Sequence, residues 1–85
     1  MEIKVLGSGC SNCKKLLENV QIACKELQFD ANIHYVTDYM EIVKTGLMRT
    51  PGLMIDGKIV SYGRVPNSDE VKKMIEVAKE GGSHS

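Results

Sequence analysis

Residues 7–13 have the sequence GSGCSNC, which places two cysteines three positions apart behind a glycine-rich break. The preceding stretch, Glu2–Leu6, alternates polar with apolar side chains and predicts a strand. From Ser11 to about Gln28 the apolar residues recur at the 3.6-residue spacing of an amphipathic helix. Cys10 and Cys13 are therefore predicted to lie at a strand-to-helix junction.

The pattern behind this helix predicts a second strand and a short second helix. Asn32–Val36 has the composition of a strand. Asp38 is a typical helix N-cap with Glu41 at capping-box spacing, and the helix is expected to continue through Lys44 and end at Gly46. A strand, a helix and another strand imply a parallel pair joined by a right-handed crossover.

The C-terminal half predicts a hairpin and a last helix. Predicted strands at residues 52–55 and 58–62 flank Asp56-Gly57, a dipeptide typical of a tight, primed hairpin turn. Asn67, with Glu70 at capping-box spacing, is expected to cap a helix that stops at Gly81-Gly82. The apolar face of that helix is predicted to consist of Val71, Met74, Ile75 and Ala78.

These elements predict an α/β domain of order β-α-β-α-β-β-α, with a four-stranded mixed sheet and three helices. At 85 residues the chain has room for one domain, expected over residues 1–80. Residues 81–85, GGSHS, are expected to be a disordered tail or a cloning remnant.

Charge and hydropathy exclude several classes of function. The chain has 11 basic and 11 acidic side chains and no net charge, which argues against nucleic acid as the main partner. No apolar run approaches the roughly 18 residues of a membrane span, and no signal peptide is recognisable. We therefore expect a cytoplasmic protein, and in that reducing setting a C-x-x-C pair is more typical of redox chemistry or metal binding than of a static crosslink.

The predicted helix start gives the two cysteines their chemistry. Its partial positive charge favours a thiolate, and Lys14 and Lys15 add positive charge nearby. At about 100° per residue Cys13 lies on the buried stripe of the helix, whereas Cys10 lies about 60° off it and nearer solvent. This predicts Cys10 as the attacking thiol and Cys13 as the thiol that resolves the mixed disulfide.

Other roles for the cysteines have weaker support. A disulfide closing a four-residue loop would stabilise the fold by only roughly 2 kcal/mol. A zinc site lacks ligands, since Cys24 lies about 16 Å from Cys13 along a continuous helix, His34 lies on a strand and His84 lies in the tail. Cys24 is therefore predicted to be a buried, small apolar side chain. A module that holds copper(I) with both thiolates is the alternative function, and an inactive scaffold is a third.

GSGCSNC between a strand and a helix, followed by TPGLMIDGK at residues 50–58, resembles the thioredoxin-like superfamily. Within it the chain is similar to the small, glutaredoxin-sized redox-active disulfide proteins of archaea and bacteria, over residues 2 to about 79. The resemblance implies a sheet order of second, first, third and fourth strand. It implies that Cys10 is the nucleophile and Cys13 the resolver, that Pro51 follows a cis peptide bond, and that the Thr50 backbone pairs with the substrate.

The resemblance implies a thiol–disulfide oxidoreductase that reduces or exchanges protein disulfides. Such a protein would use the disulfide between its two cysteines in place of a cofactor, act as a monomer and be recharged by an upstream reductase. Copper chaperone domains have the order β-α-β-β-α-β, so the helix predicted before Pro51 favours the redox function.

The site departs from the thioredoxin pattern at several positions. Gly9 stands where thioredoxins have an aromatic residue, and Ser11-Asn12 replaces the dipeptide that helps tune the reduction potential. Ser11, Asn12 and Lys14 are expected to support the cysteines. The candidates for the border of a docking surface are Tyr39, Met48 and Tyr62, although such residues are more often core or scattered surface.

Overall fold

The computed structural model describes residues 1–7 and 11–79. In that part of the chain the order of elements is β-α-β-α-β-β-α, as the sequence predicts. The strands and helices are β1 (Glu2–Leu6), α1 (Ser11–Glu26), β2 (Asn32–Val36), α2 (Tyr39–Lys44), β3 (Gly52–Ile55), β4 (Lys58–Tyr62) and α3 (Ser68–Lys79). The predicted domain boundary at residue 80 and the tail 81–85 lie outside the described residues.

The strands form one mixed sheet in the order β2-β1-β3-β4, which confirms the order that the resemblance implied. β1 pairs with β2 in parallel, whereas β3 is antiparallel to both β1 and β4. Leu6 at the end of β1 has Val36 on one side and Gly52 on the other, and Gly52 in turn faces Tyr62. The ends of β1, β2 and β4 and the start of β3 therefore share one edge of the sheet.

Each face of the sheet carries its own apolar cluster. α1 and α3 cover one face, where the larger cluster consists of Ile3, Val5, Leu16, Val20, Ala23, Cys24, Leu53, Ile55, Val71 and Ile75. On the other face Ile42 of α2 packs with Leu6 and Met54. Successive strand side chains point to opposite faces, so the alternation in β1 supplies both clusters.

α1 ends two residues earlier than the sequence predicts. Gln28 adopts a left-handed conformation with φ of 52°. The Phe29 N–H donates to the Cys24 carbonyl at 2.9 Å, and the Gln28 N–H donates to the Lys25 carbonyl at 3.1 Å. This is the pairing of a Schellman motif, which closes a helix by satisfying its last carbonyls.

The two predicted helix caps differ in how complete they are. In α2 the Asp38 carboxylate accepts from the Met40 N–H at 3.0 Å, while Glu41 pairs with Lys44 instead of returning to the cap. In α3 the capping box is reciprocal. Asn67 Oδ1 accepts from the Glu70 N–H at 2.9 Å, and the Glu70 carboxylate accepts from the Asn67 N–H at 3.1 Å. Both predicted helix starts are confirmed.

The β3–β4 hairpin has the predicted turn and an unpredicted bulge. Asp56 and Gly57 have φ of 50° and 84°, as a primed two-residue turn requires. Leu53 pairs with Ser61, but Met54 pairs with Ile59. The residue between these partners, Val60, is the extra residue of a β-bulge.

Candidate active site

Cys13 is fully buried in the first turn of α1, which places it where the helical arithmetic predicts. The residues predicted to support the cysteines are exposed on the same turn: Ser11, Asn12 and Lys14. Cys10, the predicted attacking thiol, lies outside the described residues, as does Gly9. The described part of the site therefore contains Cys13 but not its predicted partner.

The sulfur of Cys13 lies against the backbone at the end of β1. A Cβ built on Gly7 would overlap the Sγ of Cys13 and would lie 2.8 Å from its Cβ. The Gly7 N–H donates to the Val36 carbonyl at 3.0 Å, which extends the parallel pairing beyond Leu6. Sequence reasoning treated this glycine as a strand breaker and missed the contact.

The electrostatics of the helix start favour an anion. The first turn of α1, all of it described, contains no acidic side chain. Lys14 and Lys15 are both exposed there. The unsatisfied N–H groups and partial positive charge of a helix N-terminus lower the pKa of a nearby cysteine. This end of α1 can therefore stabilise a thiolate with no acid in its first turn to oppose it.

The Thr50–Pro51 peptide bond is cis, as the resemblance implied. Pro51 is buried and Thr50 is exposed. The Pro51 carbonyl accepts from the Gly63 N–H at 2.9 Å, which ties this loop to the end of β4. Because Gly52 pairs with Leu6, the proline lies at the edge of the sheet where β1 ends and the segment leading to Cys13 begins.

Two shallow cavities border residues 45–51, the loop that joins α2 to β3 and contains cis-Pro51. One, of about 230 Å³, is lined by Tyr39, Ile42, Val43, Leu47, Met48, Arg49 and Thr50. The other, of about 280 Å³, is lined by Gly46, Leu47, Met48, Ile59 and Tyr62. Met48 belongs to both and is 90% exposed, and Tyr39 and Tyr62 are also exposed. These three residues are thus accessible, and their role in docking stays a prediction.

Arg49 is a cation of this loop that sequence reasoning did not single out. Its stem packs over Gly63, which has φ of 72°, and a Cβ built there would lie 3.2 Å from the Arg49 Cδ. Among the described residues Arg49 makes no salt bridge, whereas Arg64 is paired with Glu70. The sequence signal that could have found it is its position directly before Thr50-Pro51.

The remaining metal candidates lie apart. Cys24 is 7% exposed in the larger apolar cluster, which confirms it as a buried small side chain, and burial raises the pKa of its thiol. His34 is exposed on β2. Within residues 1–7 and 11–79, no group of three or more histidine, cysteine or acidic side chains is placed to hold a metal ion. In the same part of the chain no helix has the length and apolarity to cross a membrane.

Comparisons with known proteins agree with this architecture. A family model described as the thioredoxin domain matches residues 1–76. A thioredoxin from Methanothermobacter thermautotrophicus is 39% identical over 75 residues, which cover 88% of this chain and 97% of that protein. A thioredoxin from Methanocaldococcus jannaschii is 39% identical over 79 residues, which cover 93% of this chain and 91% of that protein.

The fold also resembles that of a solved structure. Thioredoxin 1 from the thermophilic eubacterium Thermosipho africanus superposes with a TM-score of 0.63 at 22% identity, over 96% of this chain and 98% of that one. The family match spans all three helices except the last residues of α3. By its sequence and by its fold, this chain belongs to the thioredoxin domain family.

Proposed function

We propose that the protein is a thiol–disulfide oxidoreductase that reduces or exchanges disulfide bonds of other proteins. The observation that carries the proposal is the buried Cys13 in an acid-free first helical turn, at the edge of the sheet that also holds cis-Pro51. Membership of the thioredoxin domain family supports it. The required thiolate is favoured by the helix N-terminus.

The proposed reaction has two thiol exchanges. The Cys10 thiolate attacks a substrate disulfide, so that a Cys10–substrate bond forms and the other substrate sulfur leaves as a thiolate and takes up a proton. The Cys13 thiol then loses its proton and attacks the Cys10 sulfur. A Cys10–Cys13 disulfide forms while the Cys10–substrate bond breaks, and the second substrate sulfur leaves as a thiolate and is protonated. Two electrons pass from the cysteine pair to the substrate, and an upstream reductase returns them.

The residues around the pair have supporting roles in this proposal. Ser11, Asn12 and Lys14 form the exposed side of the first turn. In this proposal the backbone N–H groups of the turn and the charge of Lys14 stabilise the Cys10 thiolate. The exposed Thr50 offers its backbone to an extended substrate segment beside Pro51. The cavity next to Thr50 offers apolar contact for the side chains that flank the substrate disulfide.

The setting that we propose is the reducing cytoplasm, where a dithiol of this kind stays active. The partners are proteins that carry a disulfide, together with a reductase that recharges the pair. The protein is proposed to act as a monomer, with the Cys10–Cys13 disulfide taking the place of a cofactor.

A Cys10→Ser variant tests the proposal directly. It is expected to fold, as far-UV circular dichroism would show, and to lose the reduction of a protein disulfide. The wild type should show a two-electron couple in a redox buffer between about −120 and −270 mV. A Cys13→Ala variant should accumulate mixed disulfides at Cys10 because it cannot resolve them.

Other outcomes would contradict this function or favour a competing one. A Cys10→Ser variant with full activity would contradict the assignment of Cys10 as the nucleophile. Absence of a Cys10–Cys13 disulfide in that range, combined with tight copper(I) binding, would favour the copper module. The fold argues against that module, because α2 precedes β3 and a helix follows β4, whereas copper chaperone domains have the order β-α-β-β-α-β.

A further inference from the structure

The glycine at the end of β1 has no conformational reason to be a glycine. Its φ does not fall in the left-handed region that disfavours other residues, unlike those of Gly46, Gly57 and Gly63. Alanine at position 7 would therefore suit the backbone. What excludes a side chain is Cys13, because a Cβ at position 7 would overlap its Sγ and lie 2.8 Å from its Cβ.

Neither side of this contact moves away easily. The backbone of Gly7 is held by its N–H bond to the Val36 carbonyl and by the two strands that pair with β1 on either side. Cys13 is fully buried on α1, one turn before the fully buried Leu16. A methyl group at position 7 therefore displaces the Cys13 side chain or shifts the start of α1, because close-packed interiors absorb added volume poorly.

We propose that Gly7 is a positioning residue for the resolving step: its missing side chain lets the Cys13 sulfur lie against the end of β1, at the point from which it attacks the mixed disulfide. The inference rests on the proposed function. In the resolving step a Cys13–Cys10 bond forms while the Cys10–substrate bond breaks, and the substrate thiolate leaves and is protonated. Three sulfurs must be aligned at that moment, so the position of Sγ matters for the rate of release.

The size of the effect follows from the overlap. Clearing the Gly7 Cβ requires the sulfur to move by on the order of 1 Å, and a misplacement of that size can slow a reaction by about 100-fold. In the attack of Cys10 on the substrate no bond to the Cys13 sulfur forms or breaks. Gly7→Ala should therefore leave formation of the mixed disulfide within about threefold of wild type and slow its resolution by roughly 10- to 100-fold.

A single-turnover experiment separates the two steps. Reduced full-length protein is mixed with a protein disulfide, and acid-quenched samples are resolved to follow the mixed disulfide over time. Gly7→Ala is expected to accumulate this species transiently. Val71→Ala is the matched control, because it removes volume from the larger apolar cluster, of which Cys13 is not a member, and it should release substrate at the wild-type rate.

A second measurement links the effect to the sulfur itself. In a double-mutant cycle, the loss of stability caused by Gly7→Ala should be smaller in a Cys13→Ala background, which removes the overlapping sulfur and leaves only the Cys13 Cβ at 2.8 Å. If Gly7→Ala alone fails to fold, Gly7→Ala/Cys13→Ala should recover folding. Equal losses in both backgrounds would overturn the inference.

The outcomes keep the two proposals apart. If wild type forms no mixed disulfide and reduces no substrate, the proposed function fails. If wild type turns over and Gly7→Ala resolves the mixed disulfide at the same rate, the function stands and the positioning role of Gly7 is refuted. Slow resolution in Val71→Ala as well would assign the effect to lost stability and would equally refute that role.

Discussion

Replacement of Cys24 by alanine or serine is expected to lower the stability of the protein and to leave its disulfide chemistry intact. Cys24 is 7% exposed in the larger apolar cluster and lies three helical turns beyond Cys13 on α1. Eleven residues at 1.5 Å each separate the two by about 16 Å, too far for a disulfide. Its thiol is also a poor nucleophile, because burial raises its pKa.

The magnitude follows from the volume removed. Losing the buried Sγ forfeits about 0.8 kcal/mol of transfer free energy, as for one methylene, and the residual cavity adds about 0.5 kcal/mol. The Ala variant should thus lose about 1.3 kcal/mol out of a total of about 4–13 kcal/mol for a chain of this length. Serine is close to cysteine in size but buries a hydroxyl among apolar side chains, which costs about 1–3 kcal/mol. Its loss should equal or exceed that of alanine.

Urea unfolding measures the free energy of unfolding of both variants. The signal is far-UV circular dichroism, because the chain has no tryptophan whose fluorescence could be followed. In thermal unfolding the alanine variant should melt roughly 5–10 °C below wild type for a domain of this size. Rates of protein-disulfide reduction should match wild type in both. The reasoning is refuted if a folded Cys24→Ala protein loses disulfide reduction, or if the serine variant is more stable than wild type.

Three further changes test other features. Met48→Asp places a charge on the rim of both cavities beside the loop between α2 and β3. It should raise the KM for a protein disulfide several-fold with little change in kcat. An unchanged KM would exclude substrate docking at Met48. Gly57→Ala meets no atom within 4 Å, so its cost of about 1–2 kcal/mol, measured by urea unfolding, should come from its φ of 84° alone; a neutral result would contradict this. The hydrogen bonds from the Arg64 side chain and the Asn67 N–H hold the pKa of Glu70 below its ordinary value of 4.5. The contribution of Glu70 to stability is therefore present above pH 4.5 and fades as the pH falls through the lowered pKa. Acid-unfolding curves of Glu70→Gln should lack this pH dependence.

Local signals made the elements of this fold predictable. The capping box at Asn67 and the Asp56-Gly57 turn each depend on neighbours within a few residues, and the structure contains both. The end of α1 was missed because a left-handed Gln28 has no strong sequence signature, whereas a glycine there would have marked it. The bulge at Val60 was missed because it depends on register with β3.

The site divides in a similar way. The burial of Cys13 follows from helical periodicity, so it was predictable. The cis bond before Pro51 came from the resemblance, since most X–Pro bonds in folded proteins are trans and no local pattern marks the exception. The contact between Gly7 and Cys13 depends on how α1 sits on the end of β1, and the packing of Arg49 over Gly63 depends on two loops far apart in sequence. Such contacts are set by tertiary structure and leave no trace in local spacing.

The position of β1 at the centre of the sheet has a consequence for how the chain folds. β1, α1 and β2 are consecutive and can associate early, but the pairing of Ile3 with Ile55 must close a loop of about fifty residues. Until β3 arrives, Cys13 lies beside an incomplete sheet that lacks Pro51. A nascent chain therefore contains the proposed resolving thiol before it contains the loop that we propose to contact substrates. In this topology the order of synthesis makes the proposed cysteine pair available first and its proposed docking surface last.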